Sequence, residues 1–317
     1  MSNKSNNQGR AYEFACINIL ANEINRYRRV EIIANSSIIA AKNAWNTLDD
    51  HMIGILSLSA ISMVDTLFDL EPLILEDNGD ILTLELQTDE KGEEGDVRDI
   101  LISRKDIQWV IGLSVKHNHF AVKHSRLAKN LDFSYKWFDI PCTQEYWDEI
   151  RDRFNWLEEL KKQGIEWKDL ESKEDDVYVP LLYAFMNEIE RQYKINSALP
   201  KKMVEYLLGK YDFYKVISID QRRTTQIQSY NLRGTLNNSG NTRVAEIIVP
   251  RVYLPTRIVQ MDFKHNSKNT VELYMDNGWQ FSFRIHNAST VIEPSLKFDI
   301  QIIGMPTTIL TINCVWK

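Results

Sequence analysis

Gly95-Asp96-Val97-Arg98-Asp99-Ile100-Leu101-Ile102-Ser103, followed after the polar link Arg104 to Gln108 by Trp109-Val110-Ile111-Gly112-Leu113-Ser114-Val115-Lys116, is the stretch that decides the fold. Both runs are rich in β-branched and large apolar residues and are bounded by charged turns, so they read as the two strands of a hairpin. Upstream, Leu82, Leu84 and Leu86 alternate with other residues between Ile81 and Gln87, just after the turn Asp77-Asn78-Gly79-Asp80, which predicts a third strand. In front of it, Arg10 to Arg28 places Tyr12, Cys16, Ile19, Leu20, Glu23 and Tyr27 at helical spacing, with Glu13 on the same helix; Ser36 to Leu67 is a second helical region. Phe120 to Lys129 returns to helical character. Helix, three-strand meander and helix predict an α/β fold, a mixed β-sheet flanked by helices.

Further out, Tyr146 to Lys210 reads as mostly helical and heavily charged, with Trp147, Phe154, Trp156 and Leu160 as its apolar positions. From Phe213 strands dominate: Val216 to Ile219, Val244 to Val249, Thr270 to Tyr274, Trp279 to Ile285, Phe298 to Ile303 and Thr307 to Trp316. Asp276-Asn277-Gly278 is a sharp hairpin signal between two of them. The expected organisation is therefore a core with the central hairpin over 1–145, a helical connecting layer over 146–210 and a β-rich C-terminal region over 211–317, unless the parts intertwine as one domain.

With 317 residues and 44% apolar content the chain can bury one large core or two modest ones. Met1 to Gly9 are polar, and no stretch approaches the roughly 18 uninterrupted apolar residues of a membrane span. A soluble cytoplasmic protein without a membrane partner is expected. Cys16, Cys142 and Cys314 are scattered thiols, which suits a reducing compartment. The net charge of -6 is unevenly spread. Asp65 to Asp96 holds twelve acidic residues against one lysine, and Glu145 to Glu190 fourteen acidic against six basic. Lys116 to Lys136 holds five basic against one acidic, and Lys201 to Arg257 ten against four. Charges are screened over roughly 10 Å, so local fields decide binding. The asymmetry fits one phosphate-facing side and one solvated acidic side.

An acid at the start of one strand and a lysine late on its hairpin partner can converge on one sheet edge. Phosphodiester hydrolysis uses that pairing, the carboxylate holding a divalent cation and the lysine lying by the attacking water. An Asp on one strand, then an acid or its substitute, any residue and Lys on the next, is similar to the PD-(D/E)xK nuclease superfamily. The wider strings are more specific. Gly-Asp-Val-Arg-Asp from Gly95, Gly-Leu-Ser-Val-Lys-His-Asn-His-Phe-Ala-Val-Lys-His-Ser-Arg-Leu from Gly112, and Trp279-Gln280-Phe281-Ser282-Phe283-Arg284-Ile285-His286-Asn287 resemble the HaeIII family over essentially the whole chain. That resemblance implies a restriction-endonuclease-like core and a restriction-modification enzyme. It implies, too, Mg²⁺-dependent hydrolysis of duplex GGCC between its central G and C, leaving blunt ends.

Asp96, Asp99, Lys116, Ser114 and Glu13 are the candidate catalytic residues, and Asp96, Asp99, Glu13 and Glu85 the candidate metal ligands. Ser114 stands where the superfamily has an acid, so a second carboxylate comes from elsewhere, first Glu13 and then Glu85. A hairpin centred near Lys105 sets Asp96 opposite Val115 and Asp99 opposite Gly112, which favours Asp96; a slip of the turn reverses the preference. His117-Asn118-His119 is not the dispersed ββα-metal motif, and with His124 it lacks the fourth ligand of a zinc site. His119, Lys123, His124 and Arg126 are instead expected on one helix face, meeting the phosphate backbone. Guanines in a target call for Arg or Lys forks in the major groove. Arg222 and Arg223 lead for that role, with Gln226, Gln228 and Arg233 beside them and Arg284 and His286 as further candidates. Tyr230 to Asn241 has the composition of a loop that orders on a partner. Two other functions compete, a non-catalytic DNA-binding regulator and a structure-selective repair nuclease. No protein partner is evident, and a palindromic target fits either a dimer or one subunit making successive nicks.

Overall fold

The computed structural model describes residues 2–88, 96–119 and 123–317, and the side chains of all of these except 2–6 and 124. Contacts divide the chain into two units, each assembled from separated segments: Met1–Phe120, Lys210–Val252 and Thr307–Lys317 form one, and Ala121–Gly209 with Tyr253–Pro306 the other. This differs from three consecutive parts with breaks at 145 and 210.

In the first unit, α1 (Ser2–Ile24), β1 (Val30–Ile32), α2 (Ser36–Trp45) and α3 (Asp50–Leu70) precede the meander β2 (Leu82–Leu86), β3 (Ile100–Arg104) and β4 (Trp109–His117). The Asn35 and Asp49 side chains accept from the amides of Ile38 and Met52, capping α2 and α3. The sheet is completed by β6 (Phe213–Ile219), β7 (Thr224–Tyr230) and β12 (Thr311–Val315), in the order β1-β2-β3-β4-β6-β7-β12. β1 runs parallel to β2 and β4 parallel to β6, and the other neighbours are antiparallel, so the sheet is mixed. One face, with Leu82, Leu84, Leu86, Ile100, Ile102, Ile111, Leu113, Val115, Tyr214 and Val216, joins Tyr12, Cys16, Leu20, Leu56, Met63 and Leu67 of the helices in one apolar core. Among the described residues α3 alone is long and apolar enough to cross a membrane, and its Leu56, Ala60, Met63, Val64 and Leu67 lie in that core.

A salt-bridged cluster supports the same unit below β2. Asp80 accepts from Nε and a terminal nitrogen of Arg104 at 2.8 and 2.7 Å and from Arg28 at 2.6 Å, with all three side chains buried. The predicted turn at Asp77–Asp80 is therefore also the anchor of two buried arginines.

The second unit holds β5 (Lys123–Ala128), α4 (Phe133–Phe138), α5 (Gln144–Lys162), α6 (Val179–Ile195), α7 (Leu199–Leu208), β8 (Ile258–Phe263), β9 (Thr270–Met275), β10 (Gln280–Asn287) and β11 (Ser295–Gly304). Its strands form an antiparallel sheet in the order β5-β11-β10-β9-β8. Phe133, Trp137, Phe185, Phe283 and Phe298 pack edge-to-face and stacked between helices and sheet. The Asp276-Asn277-Gly278 turn joins β9 to β10 as expected, with Asn277 and Gly278 both at positive φ.

Two local expectations are corrected. Lys123–Ala128 is a strand rather than a helix: Ser125 and Leu127 point inward, Arg126 outward, and β11 supplies the pairing partner from far along the chain. Phe120, Ala121 and Val122 of that segment lie outside the described residues, as does most of the charged turn Thr88–Gly95. Val244–Val249 forms no strand, because the amides of Glu246 and Ile247 go to the Asp69 carbonyl and that of Val249 to the Asn237 side chain. Val244 and Ile248 are left exposed.

Candidate active site

The β3–β4 hairpin turns through Lys105–Ile107 with Gln108 in the left-handed region, and pairs Arg104 with Trp109 and Ile100 with Leu113. This register lies two residues from the expected one. It sets Asp99 level with Ser114, at the point where β3 begins and the two strands part. The Asp99 amide donates to the Leu113 carbonyl at 2.7 Å. Its carboxylate turns along the edge of β4, where Oδ2 accepts from the Val115 amide at 2.6 Å and from Lys116 Nζ at 3.0 Å, with Ser114 Oγ at 3.4 Å. The Lys116 side chain is 32% exposed and that of Asp99 23%, so the pair is reachable from solvent. Burial works against the charge of Lys116, but Asp99 and then Glu13 outweigh it and hold the ammonium above its ordinary range.

Asp96 is turned to other work. Its oxygens accept from Nε and a terminal nitrogen of Arg98 at 2.8 and 2.7 Å, from the Arg98 amide at 3.1 Å and from Gln87 at 2.9 Å. Burial pushes its carboxyl up, and the Arg98 and Gln87 hydrogen bonds more than reverse this, leaving it below the usual range. The Arg98 guanidinium stacks over Tyr211 at 3.9 Å. Gly112 makes room for this clamp, since a Cβ there would lie 2.0 Å from Arg98 Cδ. Gly112→Ala is accordingly expected to displace Arg98 and to lower stability by roughly 1–3 kcal/mol, measured by urea unfolding; a parental midpoint would show that the clamp yields without cost.

Glu13 approaches from α1 within electrostatic reach of Lys116, and lines a pocket of about 330 Å³ with Arg10, Ser36, Ser37, Ala40, Gln87 and Thr88. Glu85 pairs with Leu101, half-exposed and one strand further from Lys116. Among the described residues no three His, Cys, Asp or Glu side chains gather closely enough to form a metal cage alone. Lys215, which the sequence reading passed over, lies on β6 directly across the parallel ladder from Ser114. Burial and then the repulsion of Lys116 push its ammonium down to about 8, against the pull of Asp99. A lone lysine in the apolar run Phe213–Ile219 was the signal available. At the same end of β4 and β6, His117 Nε2 lies 2.9 Å from Asp220. Asn118 donates to Asp220 at 2.8 Å and accepts from its amide at 3.0 Å, tying the two strand ends together.

The DNA-contact candidates fall into both units. Arg222 and Arg223 are exposed at the tip of the β6–β7 hairpin, with Arg223 in the left-handed region. Gln226 and Gln228 lie on β7 within a row of side-chain hydrogen bonds: Tyr230 donates to Gln228 at 3.1 Å, Gln228 to Gln226 at 2.9 Å and Gln226 to Asn313 at 3.0 Å. Arg233 is exposed beside Asp212, and His119 is exposed just beyond β4. The loop carrying Arg233 is held through its backbone. Asp212 accepts from the amides of Arg233 and Thr235, Glu71 from that of Asn237, and Glu76 from that of Asn241. The loop is thus ordered without a partner, unlike the expected one. In the second unit Arg126 is exposed and donates to Ser295, Arg284 pairs with Asp299 at 3.1 Å, and His286 Nδ1 lies 2.9 Å from the Asn287 carbonyl. Lys123 donates to the Tyr206 carbonyl and lies 3.9 Å over its ring. No helix face joins these residues, because their segment is extended.

The comparisons with known proteins first give the class. A family description, the HaeIII restriction endonuclease, matches residues 9–306, and the chain belongs to that family of restriction endonucleases. A particular relative is the type II restriction enzyme HaeIII of Haemophilus aegyptius, 55% identical over 318 residues that span the full length of both chains. No solved structure matches the chain.

Proposed function

We propose that this restriction endonuclease hydrolyses both strands of DNA at GGCC, between the central G and C, with Mg²⁺ as cofactor, as the nuclease of a cytoplasmic restriction-modification system. The observation that carries the chemistry is the 3.0 Å approach of Lys116 Nζ to Asp99 Oδ2 at the parting of β3 and β4, open to solvent. The sheet, with an acid at the start of one strand and a lysine late on the next, supports a PD-(D/E)xK core.

Asp99 is the primary metal ligand in this reading, in place of the initially favoured Asp96, whose oxygens are taken by Arg98 and Gln87. Glu13 is the second, and Glu85 the reserve. Carboxylate oxygens alone form this donor set, which suits Mg²⁺, a hard cation that keeps several waters and takes one or two protein carboxylates. Bound there, Mg²⁺ supplies neutralisation of charge developing on the scissile phosphate. Asp99 holds its place through the Val115 amide, so it need not be reoriented when Lys116 turns toward the phosphate. Lys116 then lies by the attacking water and favours its hydroxide form. Arg222 and Arg223 offer forks to guanine, with Gln226 and Gln228 on β7 of the same hairpin, and Arg233, at the opposite end of β7, is a further candidate in the same unit. His119, Lys123, Arg126, Arg284 and His286 are proposed for further DNA contact.

Digesting a plasmid of known sequence with the purified protein and Mg²⁺ tests this reading. Fragments whose ends are blunt and all fall at GGCC are expected, with none formed in EDTA. Cutting at another fixed sequence would remove the GGCC assignment, and binding without cutting would restore the regulator.

A further inference from the structure

Lys215 is 5% exposed, on a strand that is otherwise apolar from Phe213 to Ile219 except at Ser218. A buried ammonium is tolerated only where the groups around it compensate its charge, so its neighbours matter. Here they are those of the site: Ser114 is its ladder partner, and both Asp99 and Lys116 are within its electrostatic reach.

Among the described residues, the charges of Asp99, Glu13, Lys116, Lys215 and Ser114 cancel. Asp99 and Glu13 bring two negative charges, Lys116 and Lys215 two positive ones, and Ser114 brings none. A site balanced in this way attracts a divalent cation weakly. A phosphodiester placed beside it adds the missing negative charge, and opposite charges at short range inside a protein are strongly coupled.

We propose that Lys215 is a positioning residue of the cleavage site, whose buried ammonium keeps the Asp99 centre from holding its divalent cation firmly until a DNA phosphate is present. The inference rests on the assignment of Asp99 and Lys116 above. It makes cation binding and DNA binding mutually reinforcing, so the free enzyme stays largely unloaded.

Binding of Mn²⁺ to the full-length protein, followed through the paramagnetic resonance of the free ion, tests this with and without a GGCC duplex carrying a phosphorothioate at the scissile step. Without DNA, Lys215→Met is expected to bind Mn²⁺ at least about tenfold more tightly than the parent, while Lys215→Arg, which keeps the charge, stays close to it. The gain in affinity on adding duplex shrinks in the Met variant alone. Should that variant fail to fold, Lys215→Gln carries the same expectation. Parental Mn²⁺ affinity in the neutral variant, or equal changes in the neutral and Arg variants, would overturn the proposal. Asp99→Asn separates the two levels: if it leaves Mn²⁺ binding unchanged the site itself is misassigned, whereas Asp99-dependent binding that ignores Lys215 defeats only this inference.

Discussion

Lys116→Ala is expected to cut DNA roughly 10³-fold more slowly than the parent, the scale on which a positioned proton-transfer or charge-stabilising group acts. Its melting temperature should stay within a degree or two of the parent, because a third-exposed side chain is removed and no core cavity is opened. Duplex binding in Ca²⁺, measured by gel shift, should persist, since the exposed arginines at the β6–β7 tip are untouched. Asp99→Asn should match it in rate while still accepting the Val115 amide. Parental turnover in both variants would remove the centre; loss of activity in Asp96→Ala alone would return the ligand to Asp96.

The largest effect on stability is expected at Asp80. Asp80→Ala leaves Arg28 and Arg104 buried without their shared carboxylate, and breaking a buried pair in this way costs about 3–5 kcal/mol. The effect should depend on pH. The hydrogen bonds from Arg104 first, and from Arg28, hold the Asp80 carboxyl down to about 2 against burial. A depressed acid contributes stability that is fully present above its unfolded value near 3.8 and is lost as pH falls through the folded one. The gap between parent and variant, read from urea unfolding, should therefore be constant above about pH 5 and narrow toward pH 2. A gap unchanged at low pH would mean that the carboxylate is not what holds the arginines.

Much of the first unit was legible in the chain itself. Leu82, Leu84 and Leu86 alternate as they do because one face of β2 is core, and the apolar spacing on α1 marks the side it lays on the sheet. What the pattern could not carry was the turn. Three residues of 3-10 helix with Gln108 in the left-handed region moved the hairpin by two, which kept every side chain on its face yet set Asp99, rather than Asp96, beside β4. Pairing at a distance was equally hidden. Lys123–Ala128 has no strong period of its own and becomes a strand because β11 lies beside it, and β7 is absent from the expected strands because its glutamines conceal its alternation. Lys215 was visible as an oddity in an apolar run, but its meaning depends on a parallel partner a hundred residues earlier.

The carboxylates that grip the backbone of the Arg233 loop have one more consequence. The disorder that a segment so rich in Asn, Gly, Ser and Thr would carry in isolation is given up when the protein folds, not when it meets a ligand. Under the proposed DNA role of Arg233, association through that surface would resemble the docking of two rigid bodies, with a small loss of freedom on the protein side and a rate set by collision and orientation.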